Sequence, residues 1–192
     1  MTKHNLYIIA GCNGAGKTTA SFTILPEILG CRNFVNADEI ARGLSPFNPS
    51  AVSVQAGRLM LHRIEELLIA GEDFALETTL ATRSYVNLVN RARKAGYKVY
   101  LMYFWIESVE QARERVAQRV REGGHSIDNK IIERRYVRGI TNLLTLYMPI
   151  CDYVMVLNNT MAPACIIAEK SSRSAEIIVH NTDMWNKLLK SL

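Results

Sequence analysis

The chain has 192 residues, 48% of them hydrophobic and 21% charged, enough for one domain with a sizeable core, and no apolar run reaches the length of a membrane span. Lysine and arginine outnumber aspartate and glutamate by 23 to 18, a net charge of +5, which suits a nucleic-acid surface or a site that collects small anionic phosphates. Cys12, Cys31, Cys151 and Cys165 are scattered without CxxC or Cys/His clustering, which argues against a zinc site and a disulfide framework. Cys31, Cys151 and Cys165 are expected as small buried or half-buried hydrophobes. Met1 to Asn5 leads straight into the first strand, so no secretory signal and a cytoplasmic location are expected.

Leu6-Tyr7-Ile8-Ile9-Ala10 reads as a buried strand, and Gly11-Cys12-Asn13-Gly14-Ala15-Gly16-Lys17-Thr18 behind it fits GxxxxGKT. The pattern requires this context: a strand feeding a glycine-rich turn that opens a helix. Gly11, Gly14 and Gly16 let the backbone curl so that successive N–H groups, from Asn13 and Ala15 through to Thr19, point at one polyphosphate. Lys17 would reach the β- and γ-phosphates, Thr18 would ligate Mg²⁺, and the helix would offer its positive end. Cys12 lies inside this loop, where oxidation could block nucleotide binding.

Thr18 to about Leu29 reads as a helix closed by Gly30, and Asn33 to Ala37 as a short strand delivering Asp38 and Glu39. After the loop Leu44 to Pro49, a helix runs from Ser50 to about Ala70, with Val54, Gly57, Leu61, Ile64 and Leu68 as its apolar stripe, widened by Met60 and Leu67. Phe74-Ala75-Leu76 is a strand ending on Glu77-Thr78-Thr79, followed by a helix from Ser84 to Ala95. Tyr97 to Ile106 is the longest strand and the expected centre of the sheet. Helices over Val109 to Arg121 and Asn129 to Leu146 flank Gly123-Gly124-His125-Ser126, and Asp152 to Leu157 is the last core strand. The tail offers a hairpin, Ala164 to Ala168 with Glu176 to Val179, and a closing helix at Met184 to Leu189 in which Trp185 serves as anchor. Strands alternating with helices predict an α/β fold of the P-loop NTPase kind, a mainly parallel sheet covered on both faces. Residues 1–192 are expected to form one domain, with a lid over about 113–138 and a C-terminal extension over about 159–192.

Three constellations narrow the chemistry. Asp38, at a strand tip beside the γ-phosphate, suits a carboxylate that orients an acceptor hydroxyl and takes its proton; it could equally cap the helix of Glu39 to Arg42. Glu77 with Thr78 could hold the acceptor, or Glu77 could bind Mg²⁺ through water; the alternative is a surface carboxylate at a strand end. Between positions 113 and 138 stand Arg113, Arg115, Arg119, Arg121, Arg134, Arg135 and Arg138. Arg115 and Arg119 share one helix face, as do Arg134 and Arg138. Around the Gly123-Gly124 break this suggests a hinged lid that closes over ATP and brings guanidinium groups to the developing charge, unless Glu110, Glu114, Glu122, Asp128 and Glu133 simply pair them at the surface. Cations gathered in a lid rather than an extended stripe lower the nucleic-acid reading. His125 is expected to order the lid turn, and Tyr100, Tyr103, Phe104 and Trp105 to be core. Asn158 to Thr160 lies where it could approach the adenine. There is no NKxD and no LSGGQ-like signature, and the chain is short for a typical AAA module; small-molecule kinase architecture remains.

GCNGAGKTT, FVNADEIARGLSP, FALETT and EGGHSIDNKIIERRYVRGITNL together resemble the zeta-toxin-like family of phosphate-loop kinases, over about Leu6 to Leu157. The resemblance implies a sheet of order 2-3-1-4-5 and transfer from ATP, with Mg²⁺, to a hydroxyl of a small molecule, UDP-N-acetylglucosamine in zeta toxins. Some members are held inactive by an epsilon-type antitoxin, which makes such a protein a candidate partner. By position, the family's acidic base falls on Asp38, its substrate-binding glutamate on Glu77, and its phosphate-contacting arginines on Arg119 and on Arg134, Arg135 or Arg138. The competing reading is a nucleotide-dependent ATPase or binding module in which ATP closes the lid to regulate a protein or RNA partner.

Overall fold

A computed structural model of the protein describes residues 4–124, 126–172 and 176–192. The apolar run after His4 becomes β1 (Asn5–Ala10), and its placement sets the rest of the sheet. β1 pairs in parallel with β3 (Phe74–Thr78) on one side and with β4 (Lys98–Trp105) on the other. β2 (Phe34–Val35) adds beside β3, and β5 (Tyr153–Asn158) beside β4, both parallel. The order β2-β3-β1-β4-β5 is the one expected, and β6 (Cys165–Ser171) and β7 (Ile178–Val179) continue the same sheet antiparallel. The long β4 is the middle strand of the seven, as expected, and β1 is the midpoint of the five parallel ones.

Register carries functional weight here. Ala10 lies opposite Thr78 and Tyr103, Ile9 opposite Glu77, and Val35 opposite Leu76. The segments leaving β1, β2 and β3 therefore emerge at one edge. Because the chain turns to opposite sides of β1, that edge is the switch point where open α/β sheets form a crevice. The strands that build it are almost wholly apolar: Leu6, Ile8, Ile9, Phe74, Ala75, Leu76, Val99 and Leu101 have no exposure. Such continuous runs mark strands covered on both faces.

The helices are α1 (Lys17–Thr23), α2 (Ala37–Leu44), α3 (Ser53–Ala70), α4 (Ser84–Lys94), α5 (Val109–Arg121), α6 (Asn129–Asn142) and α7 (Thr182–Leu189). α6 ends at Asn142 and widens over Leu143–Tyr147 where one helix to Leu146 was expected, and three others also depart from expectation. α1 does not run regularly to Leu29: beyond Thr23 it widens over Ile24–Ile28, where the Leu29 N–H reaches back to Ile24 O. Pro26 sits inside that turn and has no N–H for a regular ladder. α2 is a full helix, and its cap is Asn36 rather than Asp38. In α3 the buried stripe is Ala56, Met60, Ile64, Leu67 and Leu68, while Val54 and Leu61 are 71% and 57% exposed. Two neighbouring stripes share Ile64 and Leu68, and packing against α2 decided between them.

The remaining expectations on the core hold except for Cys165. Tyr103, Phe104 and Trp105 are each 1% exposed, and Trp185 packs against the core from α7. Cys165 is exposed, because β6 lies near the sheet's margin, whereas Cys31 and Cys151 are buried. His125 and part of the tail connection, residues 173–175, lie outside the described residues. Among the described residues no helix is long and apolar enough to cross a membrane.

Candidate functional site

The phosphate loop is shaped by glycines in conformations that residues with a Cβ rarely adopt. Gly11, Gly14 and Gly16 all have positive φ, at 142°, 80° and 81°. A Cβ on Gly11 would lie 2.2 Å from Phe104 O, and one on Gly16 would lie 2.4 Å from Asn159 Nδ2. The first close approach seats the loop on the end of β4; the second lets Asn159 Nδ2 donate to Ala15 O at 2.7 Å. Arg115, from α5, holds the outer side by donating to Gly14 O at 3.4 Å and to Thr160 O at 2.7 Å. The loop is thus clamped through carbonyl oxygens, which leaves its N–H groups at the opening of α1 for an anion.

Glu77 gathers the rest of this half. Its Oε1 faces Lys17 Nζ at 3.5 Å, and its Oε2 accepts from Thr18 Oγ1 at 2.8 Å and from Asn36 Nδ2 at 2.9 Å. Lys17 also donates to Cys12 O at 3.0 Å. Lys17 is 7% exposed and the Glu77 side chain 10%, so each offsets the other's burial. Thr18 and Glu77 supply hard oxygen ligands, yet no group of three His, Cys, Asp or Glu able to hold a metal occurs among the described residues. That donor set fits Mg²⁺, which commonly takes one or two protein oxygens and completes its shell with substrate phosphates and water.

A cleft of about 340 Å³ opens beside this network, lined among others by Asn13, Lys17, Asp38, Glu77, Thr78 and Arg135. Hydroxyls of Thr79, Thr82, Ser84 and Tyr85 complete a polar wall. Between Thr79 and Thr82, Leu80 takes a left-handed conformation, φ 59°, fully buried and held through its carbonyl by Asn142 Nδ2 at 2.8 Å. Asp38 stands in the first turn of α2 and also lines two neighbouring clefts, of about 310 Å³ toward Ser50, Ser53 and Asp128 and about 460 Å³ toward Thr18, Thr19 and Arg119. One exposed carboxylate therefore borders all three clefts, two of which reach the phosphate loop or the start of α1.

The arginines separate. Arg135 donates to Asn13 Oδ1 at 3.0 Å, and burial pushes its guanidinium pKa down, with Arg134 adding to that and Asp38 opposing it. Arg119 faces the cleft with Thr18 and Asp38; its Nε and Nη2 are buried with no hydrogen-bond partner among the described residues. Arg113 ties α5 to α6 through Glu133 at 2.8 Å. Arg134 and Arg138 are exposed and line none of these three clefts. Both helices of the expected lid dock on the sheet through Ala112, Val116, Ile132, Tyr136 and Ile140. Tyr136 fixes α6 by donating to Ile106 O at 2.8 Å and accepting from Trp105 Nε1 at 3.1 Å.

Of the residues singled out in sequence, the fold brings together Gly11, Asn13, Gly14, Ala15, Gly16, Lys17, Thr18, Thr19, Asp38, Glu77, Thr78, Arg119 and Arg135; it does not bring in Arg134 and Arg138. Cys12 is 2% exposed and burial pushes its thiol up to about 11, which disfavours the oxidation considered for it. Asn36 went unrecognised, and Arg115 and Asn159, expected as a lid cation and as a neighbour of the adenine, instead bind carbonyls of the phosphate loop. Asn36 carried a signal, an Asn just ahead of Asp-Glu at a helix start. Arg115 reaches Gly14 across 101 positions, a distance no local pattern conveys.

A family model described as an AAA domain matches residues 6–135. An uncharacterized protein of Haemophilus influenzae is 30% identical over 126 residues, 66% of this chain and 88% of that protein. The structure of AvrRxo1-ORF1 with ORF2 and ATP is similar with TM-score 0.78 at 17% identity, covering 97% of this chain and 63% of that one. This chain thus spans less than two thirds of those AvrRxo1 chains. The PezAT chromosomal toxin-antitoxin system of Streptococcus pneumoniae follows at TM-score 0.68 and 16% identity, covering 100% of this chain and 86% of that one. A gluconokinase from Sinorhizobium meliloti has TM-score 0.53 at 12% identity, covering 98% and 90%. At these identities the structural likeness establishes a P-loop kinase-like fold. Chain length set the AAA module aside too broadly, since what is shared is the strand, loop and helix core rather than a whole larger module; on the match over residues 6–135 the chain belongs to this AAA domain family.

Proposed function

We propose that the protein transfers the γ-phosphoryl group of ATP to a hydroxyl of a small molecule. The observation that carries the reading is Glu77 joining Lys17 and Thr18 on one side of a cleft whose other side holds Asp38. Thr18 would ligate Mg²⁺, with Glu77 engaging the ion through water. Bound Mg²⁺ would supply neutralisation of the phosphate oxygens. The loop N–H groups and Lys17 hold the donor's phosphates. Asp38 orients the acceptor hydroxyl and accepts its proton as the new O–P bond forms and the bond to the β-phosphate oxygen breaks, releasing ADP. Arg119 and Arg135 offer guanidinium groups to the charge that develops. Thr78 and the neighbouring hydroxyls suit a polyhydroxylated acceptor, a UDP-amino sugar if the zeta-toxin resemblance extends to substrate.

The test is mass spectrometry of a metabolite extract incubated with the protein, ATP and Mg²⁺. A product heavier by one phosphate, absent with Lys17→Ala, is expected; ATP hydrolysis without any phosphorylated product would sink the reading. A second reading draws on AvrRxo1-ORF1 with ORF2 and on PezAT, both assemblies with a second protein. In it the nucleotide state controls binding of an antitoxin-like partner, and partner affinity should differ between the ATP and ADP forms.

A further inference from the structure

Building on the phosphotransfer reading, we infer that Asn36 is a positioning residue that links the metal side of the site to the acceptor side. Asn36 is 6% exposed and stands between β2 and α2 with extended backbone, φ −135° and ψ 120°. Its Oδ1 accepts the N–H groups of Asp38 at 2.8 Å and Glu39 at 3.4 Å. Its Nδ2 donates to Glu77 Oε2 at 2.9 Å, the same oxygen that accepts from Thr18 Oγ1 at 2.8 Å. Backbone donors on one side and a carboxylate on the other leave only one orientation of the amide that satisfies both. A continuous hydrogen-bonded path therefore runs from the first turn of α2, which carries Asp38, through Asn36 and Glu77 to Thr18.

Helix capping alone does not explain the amide. Serine, threonine and aspartate cap about as well as asparagine. Aspartate here would set a second carboxylate against Glu77, and a serine would cap without reaching Glu77. The residue must accept from backbone and donate to a carboxylate at the same time, and an amide of this length does both. What the donated bond accomplishes is orientation: it points one carboxylate oxygen of Glu77 at Thr18 and leaves the other toward Lys17. Outer partners of this kind set how tightly a site holds its metal.

The test needs no acceptor. Calorimetry of the full chain with AMPPNP, a non-hydrolysable ATP analogue, measures how much Mg²⁺ strengthens nucleotide binding. Asn36→Ser, which keeps the cap, should reduce that Mg²⁺ enhancement about tenfold while binding of AMPPNP in EDTA stays near wild type. In a Glu77→Gln background the same substitution should have no further effect. A merely structural cap would lower the melting temperature and leave the Mg²⁺ response unchanged; that outcome overturns the inference. Wild-type protein supplies an independent readout: the Asn36 side-chain amide resonances should shift on adding Mg²⁺ to the AMPPNP complex, and unmoved resonances also overturn it. Should wild type bind no AMPPNP in either condition, the phosphotransfer reading falls and this inference with it, whereas failure confined to Asn36→Ser removes the inference alone.

Discussion

The two sides of the cleft are built differently. On the phosphate-loop side Lys17, Thr18, Asn36 and Glu77 are partnered to one another, with Lys17 and Asn36 buried. On the other side Asp38 is exposed, and Arg119 has two buried nitrogens with no partner among the described residues. A buried donor without an acceptor is costly, about 1–3 kcal/mol and more when charged. The side chains of the first side are held by one another while its loop N–H groups stay open to an anion, whereas on the second side the guanidinium of Arg119 itself has capacity that an anionic ligand would satisfy.

The largest effect that would sharpen this contrast is expected from Lys17→Ala. It should abolish nucleotide binding, read by calorimetry with AMPPNP, and transfer with it; undiminished transfer would place the donor elsewhere. Asp38→Asn should come next, slowing transfer by about 10²- to 10⁴-fold while AMPPNP affinity changes little. Equal loss of both would mean that Asp38 belongs to the donor side and would break the comparison. Arg119→Ala should cost about 10²-fold in transfer, because its unpaired nitrogens would have no anion to meet until reaction, and Arg138→Ala should cost almost nothing by the same assay.

Smaller still is Tyr136→Phe, which leaves Trp105 Nε1 and Ile106 O without their shared hydroxyl. It should destabilise the fold by about 1–3 kcal/mol, measured by urea denaturation, with transfer retained at temperatures where the variant is folded. The least effect concerns the thiols. Cys12, buried with its thiol pushed up to about 11, should be alkylated by iodoacetamide at pH 8 at least about tenfold more slowly than exposed Cys165, as peptide mass mapping would report. Comparable rates would show the phosphate loop to be open rather than packed.

Local chemistry made the first side legible. A strand, three glycines and Lys17-Thr18 lie within one short stretch, and the backbone conformations they require are intrinsic to those residues. Alternation of strands and helices implied a parallel sheet, and the strand order followed from the resemblance carried by NADE and the lid sequence. Where periodicity left two overlapping stripes, as on α3, the buried one depended on what lay opposite. The cap was misplaced by two residues because Asn36 and Asp38 are both good caps; only the path of the chain out of β2 selected Asn36.

Residue type and short spacing therefore settle the phosphate loop, the parallel character of the sheet, and the placing of Asp38 just beyond β2 and of Glu77 near the end of β3, while the strand order came with the family resemblance. Tertiary structure decided which residues meet: that Glu77 turns to Lys17 and Thr18, that Asn36 joins it to α2, that Arg115 clamps the loop, and that Arg119 and Arg135 face inward while Arg134 and Arg138 do not. The physical reason is range. Backbone conformation is set by neighbours along the chain, whereas an ion pair or a hydrogen bond between α1, α2 and β3 exists only once the buried strands beneath them have fixed their register.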